Sequence, residues 1–213
     1  MGINPRKRQK QQERRAAKRQ AKHHQVAKHL SLAERLASAA RCPIVHCLAT
    51  TDLWSEGLGW VCLSRELPNG SIAYAVFLVD RYCLGVKNAL ADITSRFTYE
   101  SNVVRKMRSQ FRSKELQPAD VRKLVESAVA YAETLGFRPH ADYQKARWIF
   151  GDIDAGQATE VLEFGKDGKP FFIAGPHDTP GICRRILKSL EEHCGPGGYN
   201  YLIPLMDPSK LFP

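Results

Sequence analysis

Three groups of side chains in this 213-residue chain have the types and spacing to do chemistry. Cys42, His46 and Cys47 lie close together, and thiolate sulfur and imidazole nitrogen both ligate zinc. Their spacing is not the C-x2-C of a zinc knuckle and no matching second pair follows. Cys62 and Cys83 would have to complete the set; otherwise these thiols are core residues. Asp80 ends the apolar run of Val79-Asp80-Arg81-Tyr82-Cys83-Leu84-Gly85. With His140, His177 or Asp178 it offers a carboxylate and an imidazole for the acid–base or metal-assisted work of a hydrolase or nuclease. Asp80 serves equally well as a strand-end cap or a partner for Arg81. His177 and Asp178 precede a helix, where capping alone explains Asp178, and its charge would repel the anion that a helix N-terminus attracts. The third group is cationic: Arg6, Lys7, Arg8, Lys10, Arg14, Arg15, Lys18, Arg19 and Lys22. Such a group can bind phosphate-rich polyanions whatever their sequence, or serve as a solvated tail or a targeting address.

Charge is unevenly divided. Residues 1–28 hold ten Lys or Arg against one acid, Glu13, for a net +9 out of +10, so everything beyond them contributes only +1. A cationic arm therefore precedes a nearly neutral body. Its clusters exceed what solubility needs, and polycationic tails bind nucleic acid or ribonucleoprotein surfaces through backbone phosphate. No aromatic is interleaved with the basic residues, so base stacking is not expected within the arm itself. Like charges at i, i+4 and the lack of an apolar face make residues 1–28 disordered or helical according to what they bind.

The remaining elements must position these groups. Ser31 and Glu34 form a capping-box pattern before Leu32 and Leu36, and Pro43 ends that helix. Residues 58–66 and 71–80, joined by Leu67-Pro68-Asn69-Gly70, form a β-hairpin. Both faces of 71–80 are apolar, which marks a central strand covered on two sides. Residues 44–48 suit a further short strand, and 81–111 read as mixed helix and loop. Pro118 opens a helix that Gly136 stops, with Val121, Leu124, Val125, Ala128, Val129, Ala132 and Leu135 as its stripe. A second helix is expected over 139–150. Residues 159–164 and 170–174 form a second hairpin around Asp167-Gly168. Asp178 or Thr179 caps a helix over 180–194, and 199–203 suit a last strand.

The stretches LPNGSIAYAVFLVDRYCLGVKNA (67–89), YAETLGFRPHADYQKARWIFG (131–151) and LEFGKDGKPFFIAGPHDTP (162–180) resemble a group of uncharacterised, mainly bacterial proteins. The resemblance covers about residues 42–203, leaves out the arm, and implies no activity or catalytic residue.

The expected fold is α+β: an antiparallel sheet from two hairpins, with helices 119–135 and 180–194 on one face, as a single domain over 29–213 behind the 1–28 arm. Its expected core includes Val61, Leu63, Val76, Leu78, Leu124, Val129, Phe171, Ile173, Ile186 and Leu190. No apolar run approaches the length of a membrane span, and no apolar segment follows the basic start as in a secretory signal. The start is also too poor in serine for a transit peptide. Six cysteines without an export signal are expected to be reduced, in a cytoplasmic protein. No P-loop, GxGxxG, HExxH or GxSxG pattern occurs, and no cofactor is called for. The composition favours a nucleic-acid- or ribonucleoprotein-associated binding protein. A hydrolase or nuclease, and a scaffold within a protein complex, are the alternatives.

Overall fold

The hairpin over 58–80 organises the molecule, seen in a computed structural model that describes residues 30–203 and, in the arm, Gln9, Gln11 and Arg14. Asn69 Oδ1 accepts the Ser71 N–H, and Gly70 takes the positive φ of +79° that the turn requires. Strands β2 (Leu58–Glu66) and β3 (Ser71–Asp80) then pair from Leu58 opposite Asp80 to Glu66 opposite Ile72. Strand β1 (Ile44–Thr50) adds to β2, β4 (Gly85–Ser95) to β3, and the short β5 (Ser113–Glu115) to the far side of β1. The sheet order is β4-β3-β2-β1-β5 and every pairing is antiparallel, so the fold is α+β.

Both faces are covered, as two-sided apolarity in β3 requires. Ala73, Ala75, Phe77 and Val79 pack in the larger core, on which helix α4 (Pro118–Thr134) lays Val121, Leu124, Val125, Ala128 and Val129. Helix α1 (Leu32–Ala39) joins that face through Leu36 and Ala39, with the Ser31–Glu34 capping box formed. Ile72 and Val76 point the other way, onto Tyr99, Val104 and Met107 of α3 (96–109). Helix α3 has a π turn, Glu100–Val104, between the α-helical stretches Arg96–Tyr99 and Arg105–Ser109.

Four expectations need correction. Residues 85–95 are a long strand, not helix and loop. Lys87 has no partner between Val79↔Val86 and Leu78↔Asn88, and this bulge shifts the inward positions from Val86 to Ala89. The resulting spacing, with Leu90 and Ile93 beyond, imitates a helix in sequence. The expected second hairpin also does not form. Residues 159–164 are irregular, and Asp120, buried at 3% exposure, accepts the N–H groups of Thr159 and Glu160. Only the tight turn from Lys166 to Lys169 survives, and β6 (Phe171–Ile173) pairs in parallel with β7 (Asn200–Leu202) in a separate small sheet. Finally, helix α6 (Pro180–Cys194) does not lie on the large sheet. Its Cys183, Leu187 and Leu190 pack with Cys83, Leu135 and Phe172 in a third cluster beside the small sheet. Ile173, expected in the core, is accordingly 37% exposed, while Leu78, Phe171 and Ile186 are half-buried. The helix expected over 139–150 is one α turn, α5 (Tyr143–Ala146), running into a 3-10 turn, Arg147–Phe150.

The α4-to-sheet contact is so close that Gly85, at φ +66°, would put a Cβ 2.7 Å from the Ala128 carbonyl oxygen. Gly70 has a similar φ but open space around it. Gly85→Ala should therefore lose roughly 2–4 kcal/mol, combining left-handed strain with overpacking, and Gly70→Ala only about 1 kcal/mol. Urea unfolding of both variants measures the difference; equal losses would contradict the close approach.

Candidate functional site

The residues singled out for chemistry are not brought together. Along β1, His46 and Cys47 project to opposite faces: Cys47 lies in the α4-side core and His46 reaches Tyr99 on the other side. Cys42 precedes the strand, and its carbonyl accepts a hydrogen bond from Arg65. Burial pushes the Cys47 and Cys62 thiols up to about 12, so neither is a thiolate at neutral pH. Among the described residues, no group of three or more His, Cys, Asp or Glu could hold a metal ion.

Asp80 is buried, and burial raises its pKa against the opposing pull of Lys87 and backbone N–H groups. Its Oδ1 accepts the N–H groups of Tyr82 and Cys83, both at 3.0 Å, which is the strand-end capping role. Asp178 Oδ2 closes the loop before α6 by accepting the Gly175 N–H at 2.7 Å, and His177 is exposed. His140 Nδ1 accepts the Asp142 N–H at 3.3 Å and lies 4.0 Å from the Asp142 carboxylate. Among the described residues, no hydrogen bond or ion pair joins Asp80, His140, His177 and Asp178 to one another. Of the basic arm, Arg14 is described, helical and exposed. Arg6, Lys7, Arg8, Lys10, Arg15, Lys18, Arg19 and Lys22 lie outside the described residues.

One polar cluster sits under α3. The buried Tyr99 hydroxyl donates to Ser64 Oγ at 2.9 Å and lies 3.2 Å from His46 Nδ1 and 3.8 Å from Cys62 Sγ. Burial lowers the His46 pKa from 6.5, with the nearby charges of Glu100, Arg108, Glu115 and Arg96 opposing one another. The Tyr99 hydroxyl, Ser64 Oγ, His46 Nδ1 and Cys62 Sγ are thus partnered with one another, as a structural lock under the π turn.

A cleft of about 820 Å³ with room for a ligand lies on the opposite side of the sheet. Ala37, Ala40 and Arg41 at the end of α1 form one wall, Arg122 and Glu126 of α4 form the floor, and residues 144–152 form the rim. Two arginines fix that rim. Arg65, 4% exposed on β2, donates from Nε to the Ile149 carbonyl at 2.9 Å, from Nη1 to Cys42 at 2.8 Å and from Nη2 to Phe150 at 3.1 Å. Arg122 Nη1 donates to the Gly151 and Ile153 carbonyls at 3.0 and 2.6 Å, while its Nε pairs with Glu126. Ile149 and Phe150 point inward, with Phe150 stacked 5.5 Å from Phe77. Gly151, at φ +58°, is needed because a Cβ there would fall 2.7 Å from Ala40 Cβ. The side chains left to face outward are Arg147 and Trp148, the indole 53% exposed. Arg41 is exposed on the facing wall, and Asp152 supplies the remaining acid.

The sequence reading missed this site. Arg147-Trp148 was a visible signal, a large aromatic beside a cation, but the expected helix made Trp148 ordinary. The run Arg105-Lys106-x-Arg108 was missed too; it is exposed on α3, on the far face of the sheet from the cleft, with Arg108 paired to Glu115.

No protein-family model matches the chain, and neither a curated protein nor a solved structure is similar to it. Among the described residues no helix is long and apolar enough to cross a membrane.

Two expectations follow from the geometry. Arg65→Met strands three carbonyls and should cost at least about 3 kcal/mol, with Arg65→Lys recovering only part, in urea unfolding followed by circular dichroism. Because its folded pKa is depressed, His46 favours the native state while neutral. That contribution is present above the unfolded value of 6.5 and is lost as pH falls below it toward the folded pKa. His46→Gln should flatten this part of the stability profile below about pH 6.5, and identical profiles would show that His46 is not the group responsible.

Proposed function

We propose that this protein is a nucleic-acid- or ribonucleoprotein-associated binding factor that uses the arm of residues 1–28 on the phosphate backbone. The observation that carries the reading is the segregation of charge, +9 of the +10 net within those residues. A cation density of that kind binds polyanions by releasing their condensed counterions. The described chain leads from Ser31 into α1, whose last turn lines the arginine-bearing cleft. The hydrolase or nuclease alternative has less support, since its carboxylates serve as caps and, among the described residues, no hydrogen bond or ion pair joins them to its imidazoles. The cytoplasm, where reduced and buried cysteines are stable, is the compartment this reading implies.

Affinity for RNA or DNA should then fall steeply with salt. Each neutralised phosphate adds about −0.7 to −0.9 to the slope of log K against log salt, so engagement of half the arm's cations gives a slope of roughly −4. Full-length protein with Arg6, Lys7, Arg8, Lys10, Arg14, Arg15, Lys18, Arg19 and Lys22 replaced by Gln should lose most binding. Its thermal unfolding should barely change, because the described core lies wholly within residues 36–190. Fluorescence anisotropy over a salt series decides the matter, and undiminished binding by the substituted chain would overturn the proposal.

A further inference from the structure

We infer that the cleft between α1 and the 144–152 rim is a stacking site for an unpaired base of single-stranded nucleic acid, with Trp148 as the platform and Arg41 and Arg147 as partners for the flanking phosphates. This rests on the reading that the protein binds nucleic acid, and it supplies what the arm lacks: an aromatic surface for bases.

The physical case begins with the cost of the arrangement. An indole loses most by standing in water, and an exposed Trp on a loop commonly folds down onto the nearest apolar surface. Here it does not. Its own neighbours, Ile149 and Phe150, fill the core beneath it, and the carbonyls of residues 149–151 and 153 are held by Arg65 and Arg122. The platform is therefore prearranged, which lowers the ordering cost of binding a flat partner. A base stacks on such a ring whatever its identity, because every base has a π face.

Charge then selects the partner. Arg122 is occupied by two carbonyls and by Glu126, which neutralises it, so the acid left in the cleft is Asp152 and the outward cations are Arg41 and Arg147. A net positive cleft of about 820 Å³ with one aromatic wall fits a nucleotide and its phosphates. Guanidinium groups match phosphate oxygens in bidentate geometry. A paired base presents no free face, so duplex nucleic acid would meet the arm without using Trp148. A free nucleotide shares the chemistry of the strand, and the experiment separates the two.

The test uses the full chain, its Trp148→Ala, Trp148→Phe and Arg147→Gln variants, and the arm-substituted chain. The probes are short oligo(U) RNA, a duplex of matched length, uridine monophosphate and poly-glutamate. Binding is followed by anisotropy and by intrinsic tryptophan fluorescence. Trp148→Ala should weaken oligo(U) binding about ten-fold and remove the quenching that oligo(U) causes, while Trp148→Phe retains most of the affinity. Duplex binding should stay unchanged in both. Arg147→Gln should reduce the oligo(U) salt slope by about 0.7, whereas Trp148→Ala leaves the slope alone. The three proteins should share one melting temperature, as substitutions at exposed positions. Quenching by the mononucleotide at oligonucleotide-like affinity would place a free nucleotide in the same site. Unchanged oligo(U) binding by Trp148→Ala, equal losses on duplex, or equal quenching by poly-glutamate would each overturn the stacking site. Should the arm-substituted chain alone lose binding, the arm reading stands and the cleft reading falls; should the parent chain bind neither nucleic-acid probe, both fall.

Discussion

Three arginines hold the irregular chain against the regular sheet, and the rest of the structure depends on them. Backbone carbonyls outside ladders and helices must still find donors. Arg65 supplies three of them from one buried guanidinium. Half-buried Arg81, at the end of β3, does the same for the Leu53, Trp54 and Glu163 carbonyls. Arg122 ties down Gly151 and Ile153. A guanidinium has five N–H groups in a fixed fork and no acceptor, so one residue can satisfy several divergent carbonyls where an ammonium cannot. Burial pulls the Arg65 pKa below its usual value, and the charge of Asp152 works against that shift. The clamp is thus a charge kept in the interior by carbonyl dipoles instead of a salt bridge.

These clamps explain why the body is nearly neutral in number and yet uneven in effect. Cations spent on carbonyls are removed from the surface, and many acids are spent in the same way. Asp80, Asp120 and Asp178 each accept backbone N–H groups. Counting charges along the sequence treats these residues as surface groups. Among the described residues, exposed cations lie on α3 (Arg105, Lys106, Arg108), at the cleft (Arg41, Arg147) and on α6 (Arg184, Arg185, Lys188), and this distribution, more than the net value, sets the local potential.

Regular elements were legible where local chemistry and tertiary context agree. The Asn69-Gly70 turn, the capping box at Ser31, the Pro118-to-Gly136 helix and Thr179 at the start of α6 carry their instructions within a few residues. Legibility ended where a long-range interaction overrode the pattern. The bulge at Lys87 disguised β4, and Asp120, some forty residues away in sequence, captured the segment expected to pair with β6. The cleft failed to show for the same reason. Nothing local to Arg147-Trp148 reveals that Arg65 and Arg122 grip the turn around them, and that grip makes an ordinary aromatic an exposed one. Candidate chemistry was misjudged in the opposite direction. Proximity along the chain linked Cys42, His46 and Cys47, although strand alternation sends His46 and Cys47 to different faces.

In the proposed binding mode, arm and cleft would divide the work of recognition between them. Helix α1 has eight residues and so separates its entry point from Ala40 and Arg41 by about 12 Å, at 1.5 Å per residue. On the proposed reading, a strand held by the arm's cations would be tethered near the Trp148 platform, and the second contact would be made at high effective concentration. Stacking of modest intrinsic strength would then suffice, because the arm would already have brought the partners together. The two contacts also differ in what they sense. Counterion release responds to phosphate density in any nucleic acid, whereas a fixed indole responds to whether a base is free to leave its stack. On the proposed reading, discrimination between single and double strands would reside in the rim, and it would depend on the rim not yielding. Were the 147–150 turn free to move, the indole would fold onto its own protein and the platform would be lost. The carbonyl clamps that stabilise the fold are for that reason the same interactions that keep the binding surface open.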